Sequence, residues 1–409
     1  MPSTPRNTRV LSLSMRNYKS IEEAFVELGP LTLLVGRNGT GKSNVIDALR
    51  FFSDALNNDL GYAIRERGGI DEVRRRSLGG RPTHPGLGVE LSTDAGRASY
   101  SFRLAAVAGG AFRVDKEACE VTDDGGEILA QFKTNKGHVS RWTMPTTPPP
   151  VADDRLYLTS VAGYPEFAAV ADVLKRMTFH DLNPQAMRYP VRPEPGDRLT
   201  HDGRNLPSVV RRLQAESPAQ LERVNQYLNA IGVPVRRIEH RAAASLETIR
   251  VAMEVPVPQG SRNLTFDAIA LSDGTLRALG ILVSIFSGHG GEGGPTLVAV
   301  EEPETALHPA AVGALVDALL EGAETTQTLV TCHSPDLLSH DAIDGDRIRI
   351  VLLDDAKTVI GPLDPSKLKL LRDHLFDAGE LLRLDQLAPD REAMNRQKEL
   401  AGTLFEAVL

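Results

Sequence analysis

The stretch Gly36-Arg37-Asn38-Gly39-Thr40-Gly41-Lys42-Ser43 has the spacing G-x-x-x-x-G-K-S. It constrains the fold more than any other part of this 409-residue chain, because it works only as a loop between a buried strand and the first turn of a helix. The flanks agree. Residues 31–35 are an apolar run, and Val45, Ile46, Leu49, Phe52 and Leu56 recur near helical spacing after Lys42. The glycines let successive backbone N–H groups turn inward on phosphate oxygens. Lys42 supplies a cation for the β- and γ-phosphates, Ser43 a hydroxyl for Mg²⁺, and the helix its positive dipole end. The motif predicts a bound nucleoside triphosphate with Mg²⁺.

The length leads us to expect two or three domains with a real core. Hydrophobic residues make up 41% and charged residues 24%, as in ordinary water-soluble folds, and no apolar run is long enough to cross a bilayer. The N-terminus has no secretory apolar segment. Cys119 and Cys332 are the only cysteines, too few for a disulfide framework or a cysteine zinc site, so a cytoplasmic location is expected. The net charge of −8 argues against a broadly basic surface but leaves room for a local patch.

Along the chain, strands are expected near 10–15 and 24–28, followed by the phosphate-loop strand and a helix from 42 to about 56. Residues 88–143 alternate in short segments split by turns such as Gly109-Gly110 and Asp123-Asp124-Gly125-Gly126, the pattern of antiparallel hairpins. Residues 164–231 are mostly helical in pattern, and strands return near 236–241 and 248–255. From 271 onward helix and strand alternate, as in a parallel sheet covered by helices. The domain organisation expected is an N-terminal part of an ATPase domain at 1–85, an insert of antiparallel strands and then helices at 86–265, and the C-terminal part of the ATPase domain at 266–409.

A second constellation lies in that last part. Residues 296–300 form a β-branched run ending in Glu301-Glu302-Pro303-Glu304. Carboxylates at the C-terminal end of such a strand can hold Mg²⁺ and orient a water beside a triphosphate, which gives Glu301 the metal and Glu302 the attacking water. Leu271-Ser272-Asp273-Gly274-Thr275 precedes an apolar helix; Ser272 is a natural N-cap, and Gly274 allows close backbone approach to an anion. A further strand, 329–332, ends in His333, within reach of a γ-phosphate. His308 lies in a loop just after the acidic pair.

In this order the motifs resemble the ABC ATPase superfamily. More narrowly they resemble its RecF/SMC/OLD-like branch and the stand-alone ATPases there that carry an "AAA" label without being ring motors. Asn17-Tyr18-Lys19-Ser20, residues 43–49, Asp202-Gly203-Arg204-Asn205-Leu206, and residues 271–279, 301–309 and 331–338 share the likeness. The resemblance implies an α/β P-loop NTPase of ABC-ATPase head type: a mixed or parallel sheet covered by helices, with an antiparallel β and helical insert. It implies Mg²⁺-dependent ATP hydrolysis and a homodimer that sandwiches two ATP molecules. Gly36, Arg37, Asn38, Gly39, Thr40, Gly41, Lys42, Ser43 and Asn44 of one copy would face Ser272, Gly274 and Thr275 of the other. His333 would be the switch histidine, acting with Glu302 and Lys42, and His308 would sit in the loop joining the two sites. Two departures point to slow turnover: Asp273 replaces the second signature glycine, and Glu301 replaces an aspartate. The glutamine that usually links Mg²⁺ to the domain has two candidates, Gln131 and Gln185.

Arg65, Arg67, Arg74, Arg75, Arg76 and Arg81, and separately Arg236, Arg237 and Arg241, are candidate contacts for DNA phosphates. A Toprim nuclease module is not expected. Asp344-Gly345-Asp346 has the acidic spacing, but no strand–Glu–Gly element precedes it and too few residues follow Ser334. The reading is a dimerising ATPase of DNA repair, DNA transactions or anti-phage defence, working beside a separate effector and without a membrane. The alternative is a regulatory ATP-binding scaffold with negligible turnover that gates a partner.

Overall fold

The computed structural model describes residues 8–76, 80–258, 260–288, 293–305, 307–397 and 399. A hairpin of β1 (Arg9–Tyr18) and β2 (Ile21–Glu27) leads into β3 (Leu31–Val35), the phosphate loop and α1 (Lys42–Asn57). Short helices α2 (Leu60–Arg65) and α3 (Ile70–Val73) follow. Next comes a meander of β4 (Gly86–Thr93), β5 (Gly96–Ala106), β6 (Phe112–Thr122), β7 (Ile128–Asn135) and β8 (His138–Trp142). Helices α4 (Tyr157–Val161) and α5 (Pro165–Lys175), strand β9 (Thr178–His180), and helices α6 (Pro184–Arg188), α7 (Leu206–Glu216) and α8 (Pro218–Ala230) come next. A three-stranded unit, β10 (Val235–Ala243), β11 (Leu246–Val257) and β12 (Gly260–Asp267), precedes α9 (Asp273–Phe286). The chain then alternates through β13 (Leu297–Glu301), α10 (Val312–Ala323), β14 (Gln327–Cys332) and α11 (Pro335–Leu338). The described residues close with the hairpin β15 (Ile348–Asp354) and β16 (Lys357–Pro362), then α12 (Pro365–Arg372) and α13 (Ala378–Arg383).

Two large sheets result. One is mixed, in the order β16-β15-β3-β14-β13-β9, with β15, β3, β14, β13 and β9 mutually parallel. The other is antiparallel, in the order β2-β1-β4-β5-β6-β7-β8. The strands expected as hairpins therefore extend the N-terminal β1–β2 hairpin into one sheet, since β4 pairs with β1.

Side-chain alternation explains why β3 and β13 carry apolar side chains on both faces. Leu34 of β3 and Leu297 and Ala299 of β13 face one core; Leu33 and Val35, and Val298 and Val300, face another. The first core lies between the two sheets and is filled by α1. There Phe51 and Phe52 pack on Phe102 of β5 with ring centroids 5.7 and 5.3 Å apart. The second core holds α7, α8, α9 and α10. Both faces of the strand that carries the phosphate loop are thus buried, and its end is fixed in space.

One buried acid ties the antiparallel sheet to the helices. Glu117 of β6 accepts the backbone N–H groups of Tyr157 (2.6 Å) and Leu158 (2.8 Å) at the start of α4, and the hydroxyl of Tyr100 (3.0 Å). Burial pushes its carboxyl pKa up to about 7, against those hydrogen bonds.

β9 and β12 are absent from the expectations above. β9 is only three residues long, too short to show a period, and β12 is polar and exposed along most of its length. α12 and α13 are separated by a short turn in which His374 takes φ 51°.

Candidate nucleotide site

The phosphate loop is shaped by backbone requirements and held from outside. Gly41 adopts φ 104° at the N-terminus of α1, a conformation that penalises other residues. A Cβ on Gly36 would lie 2.1 Å from the Val351 carbonyl oxygen of β15, so only glycine lets β3 turn there. Thr358 of β16 donates its hydroxyl to Thr40 O at 2.8 Å and shares a 2.6 Å hydrogen bond with Ser20. The Asn44 amide donates to the same Ser20 oxygen at 2.6 Å, so this side chain braces the loop from behind.

The neighbouring Asn17-Tyr18-Lys19-Ser20 stretch secures α1 as well. Tyr18 and Lys19 each approach the Asp47 carboxylate at 2.6 Å. Arg67 meets Asp47 and Asp54 at 3.0 Å and lies over the Phe51 ring at 4.9 Å. Its side chain is only 4% exposed. Arg67 is therefore a buried anchor of α1 and is removed from the candidate DNA contacts. Arg75 is likewise buried, paired with Glu22 at 3.0 Å. Arg65 and Arg76 are exposed, but Arg74 pairs with Asp71, Arg76 with Glu72 and Arg81 with Asp71. Arg236, Arg237 and Arg241 pair with Glu254, Glu239 and Asp267. The basic run of the sequence is mostly neutralised locally.

At the mouth of the loop the residues selected from the sequence converge. Lys42 is buried and donates to the carbonyls of Gly36 at 2.7 Å and Arg37 at 3.1 Å. Burial lowers its pKa, opposed by the nearby carboxylate of Glu302. The Ser43 hydroxyl donates to Glu301 Oε2 at 2.5 Å, joining the helix start to the end of β13. Burial raises the Glu301 pKa, with Ser43 opposing and the charge of Asp181 adding. Glu302 follows with φ 44°, an uncommon left-handed conformation. Its N–H is fixed by the Thr331 carbonyl at 3.2 Å and hydroxyl at 3.1 Å. His333 stands with Nδ1 3.4 Å from Glu302 Oε1 and 3.7 Å from Glu304 Oε1, and its N–H donates to Glu304 at 3.2 Å.

The donor set fits a magnesium triphosphate. A hydroxyl and a carboxylate oxygen already meet at Ser43 and Glu301, the hard oxygen ligands that Mg²⁺ takes. His333 Nδ1 and Glu304 Oε2 are buried without a hydrogen-bond partner, which is costly unless something binds there. Among the described residues no group of three or more His, Cys, Asp or Glu side chains could hold a metal ion. An ion here would be shared with phosphate oxygens.

The remaining selected residues lie elsewhere. Ser272 caps α9 by accepting Thr275 N–H at 3.1 Å, and Ser272 and Asp273 are exposed. His308 is exposed and accepts Ala310 N–H at 3.2 Å; Ala306, beside it in the motif, lies outside the described residues. Gln131 hydrogen-bonds Glu120 and Arg141 inside the antiparallel sheet, and Gln185 is exposed on α6. Neither joins Ser43 and Glu301. Asp344 caps a single helical turn and pairs with Arg347, and Asp346 pairs with Arg372, so this acidic spacing serves local structure.

Sequence reasoning missed three contributors. Glu304 backs His333; its signal is the third acid of the E-E-P-E run. Arg277, on the signature helix, donates to the carbonyls of Leu182, Glu301 and Glu302 at 3.3, 3.4 and 3.5 Å. Asp181 follows β9, whose His180 is paired with Val300, and so lies beside the end of β13.

Comparison with known proteins agrees with this geometry. The family model described as "AAA domain, putative AbiEii toxin, Type IV TA system" matches residues 31–128 and 187–339. No curated protein matches. Three solved structures are similar over nearly their whole length. An Smc head bound to the C-winged helix domain of ScpA has 11% identity and a TM-score of 0.52, covering 88% of this chain and 99% of that one. An Smc head with an extended coiled coil bound to the C-terminal domain of ScpA, derived from Pyrococcus furiosus, has 11% identity and a TM-score of 0.50, covering 90% and 99%. An SMC head domain from Thermotoga maritima has 13% identity and a TM-score of 0.44, covering 87% and 99%. The fold is thus that of an ABC-type ATPase head, and no helix among the described residues is long and apolar enough to cross a membrane. The match covers more than half of the chain, including the phosphate loop and the acidic strand, and the chain belongs to the family of AAA domains so described.

Proposed function

We propose that this protein is a slow, Mg²⁺-dependent ATPase whose ATP sites are completed by dimerisation. The observation that carries the reading is the convergence of Lys42, Ser43, Glu301, Glu302 and His333 on the mouth of one phosphate loop. Residues 36–44 would hold the triphosphate, and Ser43 and Glu301 the metal, which when bound neutralises phosphate charge. Lys42, released from the carbonyls of Gly36 and Arg37, would turn its ammonium to the phosphates. Glu302 would orient the attacking water, and its proximity to His333 lets the histidine register whether the γ-phosphate is present. Residues 1–85 and 266–409 would act as the two parts of one ATPase domain, with 86–265 as the inserted strands and helices.

The cap at Ser272, Gly274 and Thr275 is exposed at Ser272, as a surface awaiting the triphosphate of a second copy would be, and His308 lies on a similarly open loop. The family description, "putative AbiEii toxin, Type IV TA system", supports the defence half of the reading; DNA transactions and a separate effector rest on the sequence resemblance alone. DNA contact would rest on the exposed Arg65 and Arg76. One observation favours a second reading, a nucleotide-gated scaffold with negligible turnover: Asp273 places a carboxylate in the cap. Multiple-turnover phosphate release separates the two. The ATPase reading expects measurable steady-state release that Glu302→Gln lowers by about 100-fold or more while ATP still binds. Unchanged release in that variant would remove Glu302 from its role.

A further inference from the structure

The cap has a supporting residue that none of the sequence motifs contains. Arg188 ends α6, and its guanidinium reaches the loop entering α9. Nη1 donates to the carbonyls of Ile269 at 3.0 Å and Leu271 at 2.6 Å, and Nη2 pairs with the carboxylate of Asp273. The helix that carries it is wedged in place. A Cβ on Gly280 of α9 would stand 2.7 Å from Met187 Cε, and one on Gly203 would stand 2.9 Å from Met187 Sδ. Met187 is buried between them, and the Asp202-Gly203-Arg204-Asn205-Leu206 turn thereby seats α6. Exposure is unequal across the ion pair. The Arg188 side chain is 16% exposed and that of Asp273 55%, so the acid faces outward and its neutralising partner stands behind it.

We infer that Arg188 is a positioning residue for the cap. It offsets the charge of Asp273 and holds the carbonyls of residues 269 and 271, leaving the amide end of α9 free to face the γ-phosphate of an ATP held by a second copy. Without it, an unpaired carboxylate would meet a polyanion of like charge. This rests on the dimer reading above, and it explains how a cap with aspartate in place of glycine remains usable.

The test uses the full chain in the Glu302→Gln background, with ATP and Mg²⁺ as the probe. Arg188→Gln should leave fluorescent-ATP binding by the monomer within about two-fold and weaken ATP-dependent dimerisation, read by light scattering, by about ten-fold. Adding Asp273→Asn should restore most of that loss, and Asp273→Asn alone should dimerise at least as tightly as its parent. A merely structural Arg188 would give a loss that Asp273→Asn does not repair. Dimerisation of Arg188→Gln equal to the parent, or a double variant no better than Arg188→Gln, overturns the inference. Should Arg188→Gln fail to fold, the surface variant Asp273→Asn decides: weaker dimerisation than the parent overturns it, and equal or tighter dimerisation supports it. Failure of the Glu302→Gln parent itself to dimerise would be a distinct result, removing the dimer reading and this inference with it.

Discussion

The phosphate loop and the signature cap are both short glycine-containing turns leading into helices, yet they are built in opposite ways. The loop is clamped from behind by Ser20 and Thr358, stands on a strand buried on both faces, and has Glu301 and Ser43 already in contact. The cap is exposed at Ser272 and Asp273, hydrogen-bonds chiefly to itself, and is braced by one arginine from α6. The difference teaches which half is self-sufficient. On the proposed reading, a triphosphate would be gripped by the loop within one chain, whereas the cap would offer the N-terminal end of α9 to a second copy.

Substitutions at the two regions should therefore separate binding from assembly. The largest effect belongs to the loop: Lys42→Ala should weaken ATP binding by about 100-fold or more, measured by titration with a fluorescent analogue. Retained affinity would break the comparison at its stronger end.

Away from both regions, the buried acid that ties the antiparallel sheet to α4 gives the fold a pH signature. Glu117, with its folded pKa raised to about 7 from an ordinary 4.5, binds more protons folded than unfolded between those values. Its contribution to stability is therefore full below pH 4.5 and is lost as pH rises through 7, by about 3 kcal/mol in all. Denaturant unfolding of the wild type against Glu117→Gln should show this slope in the wild type and its loss in the variant.

At the cap, Ser272→Ala removes the side chain that accepts Thr275 N–H and should destabilise the first turn of α9 by about 1 kcal/mol. ATP-dependent association should fall several-fold while monomer binding holds. Equal losses in both measurements would mean that the cap and the loop act within one chain. The smallest effect is expected behind the loop. Thr358→Val strips Thr40 O and Ser20 of a partner and should weaken ATP binding by about two-fold, near 0.5 kcal/mol. No change would show that the clamp is dispensable.

How far the sequence reveals these regions follows from where the determining contacts lie along the chain. β3 and β13 are legible because strands buried on both faces read as short, largely apolar runs, and β14 because its Leu329-Val330 centre leads to His333; each ends in a chemically distinctive group. The cap is legible because Ser272 bonds three residues ahead. Arg67 reads as a surface cation because its partners, Asp47 and Asp54, lie on a preceding helix and nothing local marks it as buried. Arg188 is invisible for a similar reason. It sits on a five-residue helix with no period to read, and its partner Asp273 lies 85 residues away. Asp181 is hidden along with β9, which only the pairing with β13 defines.

The central claim is that the cap of one copy completes the site of another. Light scattering on the Glu302→Gln chain with saturating ATP and Mg²⁺ tests it most directly, run beside the same chain carrying Ser272→Arg. The account predicts a mass near twice the 44.3 kDa monomer for Glu302→Gln and a monomer when Ser272→Arg is added, with ATP bound by both. A Glu302→Gln chain that binds ATP and stays monomeric, or a Ser272→Arg chain that dimerises as well as its parent, would contradict it.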